Sequence, residues 1–152
     1  WDRRMIQEAD VLVQKALRRG APGPYQVQAA IAAVHNATDP AVNTDWNEIH
    51  RLYQLLERLS LSPLVSLNRI VAVSQLYGAS AALDQLQPLA EPLQHYLPFH
   101  AVYAGLSEET GHAEDALSAY RSAMSCHPSS EGFRFLTAQI LRLEKSFEER
   151  SE

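Results

Sequence analysis

The chain has 152 residues, 46% of them hydrophobic and 20% charged, which is enough for one globular domain that buries roughly 68–70% of its unfolded surface. Its one cysteine, Cys126, excludes a disulfide framework, and no apolar run approaches the ~18–20 residues of a membrane span. The formal net charge of −5 argues against a free-standing nucleic-acid binder, which is usually basic. The acidic residues concentrate in residues 77–152, and such a concentration is typical of a solvated helix surface.

The N-terminal residues do not resemble a targeting signal, because residues 1–8 are rich in charge. The chain opens at Trp1 rather than at methionine. We therefore expect a processed protein or a segment of a longer one.

Apolar residues recur at intervals of three and four, which predicts helices and no strands. Met5, Ala9, Leu12 and Ala16 form the apolar face of a first helix that ends at Gly20. A second helix follows Pro24, with Val27, Ile31 and Val34 on one apolar face.

The third predicted helix has a capping signal at its start. Asp45 is placed to accept from the free amides of the first turn, and Glu48 is expected to reach back as in a capping box. This helix runs to Leu59, and a fourth begins at Pro63 and ends at Tyr77. Four more are predicted over about 79–90, 97–110, 113–127 and 130–148.

An internal period of 33–35 residues links the later helices. Ala82-Leu83 recurs as Ala116-Leu117, Pro63 corresponds to Pro98, and Gly78 corresponds to Gly111. In the second unit Ala116 and Ala123 allow close helix approach, Tyr120 fills the space between the helices, and Pro128 ends the unit. This is the period and packing of the tetratricopeptide repeat (TPR).

The predicted fold is therefore all-α, a TPR-like stack of about eight antiparallel helices. We expect a single domain over 1–152, with irregular helical pairs over about 1–60 and repeats over about 63–95 and 98–128. A capping helix covers about 130–148. An irregular helical bundle with chance spacing is the alternative. A stack of helical hairpins offers a concave groove for a peptide or another domain.

Several segments carry a resemblance to a known family. They are residues 1–3, 23–35, 44–46, 62–73 and 96–101, and the run from Gly23 to His35 is long enough to be specific. They resemble the C-terminal extension of a group of bacterial extracytoplasmic-function (ECF) RNA polymerase sigma factors. The resemblance runs from Trp1 to about Leu143.

The resemblance implies a cytoplasmic transcription protein in which two DNA- and polymerase-binding regions precede a TPR-like domain. Those core regions are absent from this chain. Its expected partners are the sigma core and RNA polymerase, with promoter DNA contacted only through the absent regions and no membrane involved. The chain departs from the family pattern at Tyr103 and Gly105, where an arginine and an acid are expected. It also carries Glu108 and Glu109 in a turn that is usually basic.

The residue pattern offers no catalytic or metal-binding spacing. None of the six histidines (His35, His50, His95, His100, His112 and His127) is paired as metal ligands are on a helix, so we predict neither a metal nor a cofactor. Cys126 and His127 are adjacent, and neighbouring helix positions point about 100° apart, so they do not form a nucleophile and base. A buried structural cysteine is predicted instead.

A set of polar residues within apolar helices is the candidate site: Tyr25, Gln26, Gln28, His35, Asp45, Asn68 and Arg69. Asn68 and Arg69 lie in an apolar helix, where a buried polar group without a partner costs ~1–3 kcal/mol. One interpretation is that they tie neighbouring helices together, through Asp45 or backbone carbonyls. The other is that the set lines a groove for the sigma core or a peptide, with Arg69 and Tyr25 as anchors.

Two functions follow from these observations. The first is a non-catalytic interaction module that regulates the sigma core. The second is a small-ligand sensor or enzyme, whose pocket among the first four helices is lined by Tyr25, Gln28, His35 and Arg69. An enclosed cavity favours the second function and an open groove favours the first.

Overall fold

The described part of the chain is helical. A computed structural model describes residues 27, 28, 31 and 45–152. Residues 45–152 form six α-helices and one short 3-10 helix, and none of the described residues is in a strand. The α-helices are α1 (Trp46–Leu59), α2 (Pro63–Tyr77), α3 (Ala79–Leu86), α4 (Leu97–Glu109), α5 (Ala113–Met124) and α6 (Ser130–Arg150), and the 3-10 helix is Gln87–Leu89.

The predicted helix positions agree with this structure for the described residues. Helix α2 begins at Pro63 and ends at Tyr77 as predicted, and the other described helices end within a few residues of their predicted limits. Where one helix is predicted over 79–90, the structure has α3 followed by the 3-10 helix. Residues 27, 28 and 31 are helical, with Val27 and Ile31 buried as predicted. The predicted first helix lies outside the described residues.

The chain divides into two compact units, Trp1–Leu76 and Tyr77–Glu152. In the first unit, Val27 and Ile31 share one apolar cluster with buried residues of α1 and α2: Ile49, Leu52, Leu56, Val65 and Ala72. The spacing of three and four between the α1 members puts them on one helix face. This face fixes which side of α1 is left for contacts with solvent or a partner.

The second unit has the packing predicted for a TPR. Ala116 and Ala123 are completely buried, and Tyr120, at 5% exposure, lies with them in one cluster that also includes Leu136 and Leu143 of α6. Because alanine has no side chain beyond Cβ, it lets α4 and α6 approach α5 closely, and the Tyr120 ring occupies the remaining space. The predicted roles of these three residues are confirmed.

The connection between α4 and α5 depends on a glycine. Gly111 has φ of 82°, a left-handed conformation that costs other residues free energy. Its N–H donates to the Glu108 carbonyl at 3.0 Å, and the His112 N–H donates to the Ser107 carbonyl at 2.8 Å. These bonds satisfy the last carbonyls of α4, as in a Schellman ending. The chain therefore returns along α5 after only three residues.

Cys126 is less buried than predicted from the sequence. It is half-buried rather than buried, and its Sγ donates to the Ser122 carbonyl at 3.3 Å. It lies just past the end of α5, where His127 adopts φ of 54°. The residue is outside the alanine-lined contact because α5 ends at Met124, earlier than the predicted 127.

Candidate protein-interaction surface

The end of α1 and the start of α2 form the candidate surface. The apolar face of α1 points into the first unit, so Gln54 and Arg58 remain exposed on the other side. Helix α1 ends at Leu59, and the extended backbone of the following residue, Ser60, carries the chain towards Pro63, where α2 begins. A residue that precedes proline is disfavoured in the helical conformation, which helps keep the two helices separate.

An open groove of about 470 Å³ lies beside this connection. It is lined by Gln54, Glu57, Arg58, Leu61 and Arg69. Leu61 is 97% exposed. The groove therefore combines an exposed apolar side chain with guanidinium and amide donors. We call it the α1–α2 groove.

An ion pair between helices forms one wall of the groove. The Arg69 Nε donates to Glu57 Oε1, which joins α2 to α1. Both side chains are largely buried, at 19% and 26% exposure, so solvent screens this pair less than an exposed one. The predicted structural role of Arg69 as a tie between helices is thus realised through Glu57. Asp45, one of the two kinds of partner predicted for it, has another role.

His50 lies close enough to this ion pair to respond to it. Burial lowers the pKa of His50, the positive charge of Arg69 lowers it further, and the carboxylate of Glu57 partly opposes both effects. The imidazole is therefore neutral at pH 7. Protonating it would add a second positive charge beside Arg69.

Asp45 stabilises the start of α1 rather than a groove. It is exposed, and its Oδ1 accepts from the Glu48 N–H at 3.1 Å, which confirms the predicted cap. The Glu48 carboxylate pairs with Arg51 on the next turn. The capping box predicted for Glu48 is therefore replaced by an ion pair within the helix.

The prediction that Asn68 is buried was wrong. Asn68 is exposed, so it does not need the buried partner that the sequence analysis assigned to it. Leu64 and Gln75, which are also exposed, share its side of α2. Because most residues of α2 are apolar, the sequence did not indicate that one narrow side of this helix is exposed.

The other predicted site residues do not gather at the groove. Gln28 is helical and exposed, and it is not among the groove-lining residues. Tyr25, Gln26 and His35 lie outside the described residues. Of the predicted set, Arg69 alone is a described lining residue of the α1–α2 groove.

The other four lining residues were not predicted from the sequence: Gln54, Glu57, Arg58 and Leu61. Two features of the sequence point to two of these residues. Glu57 follows His50 by seven residues, which places both on one side of α1. Leu61 stands between two serines in a short connection between helices, where a leucine has little chance of burial.

A second polar cluster joins three helices in the second unit. Glu108 of α4 accepts from Arg142 of α6 at 2.6 Å and from the hydroxyl of Tyr120 on α5. Burial and this hydrogen bond to the carboxylate raise the pKa of Tyr120 to about 12. The ion pair of Arg121 with Glu144, at 2.8 Å, adds a further tie between α5 and α6. Glu108 therefore ties these three helices together.

Two of the histidines bind neighbouring polar groups. His100 Nε2 lies 2.7 Å from the Gln94 carbonyl, and His112 Nδ1 lies 2.8 Å from the Thr110 hydroxyl. Among the residues that the structure describes, no three potential metal ligands of the His, Cys, Asp or Glu type come together. In the same part of the chain, no helix is long and apolar enough to cross a bilayer.

Two known proteins are similar to this chain, one in sequence and one in fold. No protein-family model matches the chain. The uncharacterized protein R00370 of Rhizobium meliloti (strain 1021) is 44% identical over 140 residues, which make up 92% of this chain and 33% of that protein. The chain thus spans about a third of the length of this relative.

The related fold is that of a solved structure, the MamA RS-1 ArsTM double mutant. It matches with a TM-score of 0.56 and 12% identity, over 93% of this chain and 96% of that one. MamA is a TPR-like helical protein. The chain accordingly has an all-α, TPR-like fold.

Proposed function

We propose that this chain is a non-catalytic protein-interaction module that regulates a bacterial ECF-type sigma factor. The observation that carries the proposal is the TPR packing of Ala116, Tyr120 and Ala123, since folds of this kind present helical surfaces to peptides and domains. The sequence segments that resemble the sigma-factor extension supply the class of partner. The 44% identity to one third of R00370 is consistent with a module within a longer protein.

The α1–α2 groove is the surface proposed to receive the partner. Arg58 is exposed there, whereas the charge of Arg69 is already matched by Glu57. A segment with a carboxylate for Arg58 and an apolar side chain for Leu61 has the complementary chemistry. Arginine and a large apolar side chain are the residue types that contribute most at interfaces of this kind.

The test is binding in trans. The chain is labelled with a fluorophore and titrated with R00370 from which the aligned third has been deleted, and anisotropy is recorded. Binding with a dissociation constant below about 100 µM is expected, because a domain interface of moderate size reaches this range. If no binding is detected with about 100 µM of the R00370 remainder, the proposed interaction between the module and that remainder is contradicted.

Groove variants make the test specific. Arg58→Glu and Leu61→Asp are each expected to weaken binding by roughly tenfold or more, since each removes a contact and adds a misplaced charge. Arg51→Glu is the matched control, because Arg51 is exposed on α1 and is not among the lining residues. Equal losses in all three variants would show that net charge, and not the groove, determines binding.

A further inference from the structure

One side of α6 carries a regular exposed stripe. Arg134, Leu141 and Glu148 are spaced by seven residues, so they lie on nearly the same line along the helix. All three are exposed, Leu141 at 60%. Leu136 and Leu143, on another side of α6, are buried in the cluster with α5. We call the first set the α6 stripe.

The repeat period shows that this side of α6 resembles a side that is covered in α4. Leu141 of α6, the centre of the stripe, stands 34 residues after Ser107 of α4. Ser107 is 1% exposed, whereas Leu141 is 60% exposed. The second unit therefore covers this side in one repeat and leaves it open in the next.

The charges of the α6 stripe are in an order that does not stabilise its own helix. Arg134 lies near the positive N-terminal end of α6, and Glu148 lies in the last turn at the negative end. Neither side chain forms an ion pair with another described residue. Their order is instead complementary to the same helix running in the opposite direction.

We propose that the α6 stripe binds a second copy of this chain, with the two α6 helices antiparallel about a two-fold axis at Leu141. Arg134 and Glu148 are each seven residues, or about 10 Å, from that axis. In an antiparallel pair Arg134 of one copy therefore faces the partner's Glu148, and the symmetry repeats this pair. A parallel arrangement would place like charges opposite each other. The apolar centre is Leu141 against the partner's Leu141.

The interface is small, so the dimer is weak and depends on concentration. One stripe of a 21-residue helix buries less than the ~1,200 Å² typical of stable complexes. A dissociation constant on the order of 100 µM is expected for such a contact. This interaction is independent of the α1–α2 groove and of the proposed sigma partner.

The test is sedimentation equilibrium of the full chain from ~10 µM to ~1 mM, with two charge variants and their combination. Arg134→Glu and Glu148→Arg each place like charges opposite each other twice, and each is expected to raise the dissociation constant by about tenfold. The double variant R134E/E148R restores opposite charges and is expected to recover dimerisation to within about threefold. Glu149→Arg is the matched control, because its side chain points about 100° away from that of Glu148.

Several results would overturn the proposal. They are a monomer throughout this concentration range, a double variant no better than the single ones, or a control that weakens the dimer as much as Glu148→Arg. Circular dichroism of each variant establishes that it is folded. If a charge variant is unfolded, Leu141→Ala replaces it and is expected to weaken the dimer, whereas Leu61→Ala, on the first unit, is not.

Discussion

Glu108→Ala is the substitution that tests the packing of the second unit most sharply. It removes the acceptor of the Tyr120 hydroxyl and the partner of Arg142. Because Tyr120 is buried, loss of its acceptor costs ~1–3 kcal/mol. Arg142 is half-exposed, so the ion pair adds only ~0.2–1 kcal/mol after solvent screening. For a chain of this size the expected loss of Tm is about 3–10 °C.

The assay is thermal unfolding followed by circular dichroism, in a double-mutant cycle with Tyr120→Phe. Tyr120→Phe removes the same hydrogen bond. The stability lost in the two single variants, added together, should therefore exceed the stability lost in the double variant. Glu109→Ala is the control, since Glu109 is the exposed neighbour of Glu108 in the sequence. Additive losses, or a Glu108→Ala variant as stable as Glu109→Ala, would refute the account of this cluster.

Alkaline titration gives the same cluster a second readout. The pKa of Tyr120 is raised in the folded chain from 10 to about 12, first by burial and then by its hydrogen bond to Glu108. Its contribution to stability is therefore present below pH 10 and is lost as the pH rises towards 12. In Glu108→Ala the pKa of Tyr120 should fall but stay above 10, because burial remains. Absorbance of tyrosinate at 295 nm measures this, and an unchanged midpoint would contradict the hydrogen bond.

Three further predictions concern single residues. Asp45→Ala should destabilise the chain by about 0.5–2 kcal/mol in urea unfolding, and no change would mean that the cap does not hold α1. The pKa of His50 is lowered in the folded chain, so the free energy of unfolding should fall as the pH drops below 6.5. His50→Gln should reduce this pH dependence, and an unchanged pH profile in the variant would contradict the role of His50. Gly111→Ala should cost ~1–2 kcal/mol in thermal unfolding because of its positive φ, and a neutral result would exclude the left-handed turn.

Helix positions and the repeat core were predictable from the sequence because their causes are local. Pro63 and Gly111 punctuate the chain by backbone geometry, and Asp45 caps α1 through an amide three residues away. The spacing of Ala116, Tyr120 and Ala123 follows from a single helix face. These features need no knowledge of which other segments come near.

The candidate surface was harder to predict because it depends on contacts between helices. Arg69 needed a partner, but Glu57 lies twelve residues earlier on another helix, and nothing local selects it over Asp45. The exposure of Asn68 depends on which sides of α2 other segments cover. Likewise, nothing local in the sequence assigns a role to Glu108, and only the positions of Tyr120 and Arg142 explain it.

The central claim is that this module acts within a sigma factor, and one gel-filtration measurement tests it most directly. Purified RNA polymerase core, R00370 lacking its aligned third, and the labelled chain are mixed and separated. We expect the chain to elute with the polymerase only when the R00370 remainder is present. If the remainder does not bind the polymerase, or if the chain elutes alone in the complete mixture, the sigma-factor assignment is contradicted.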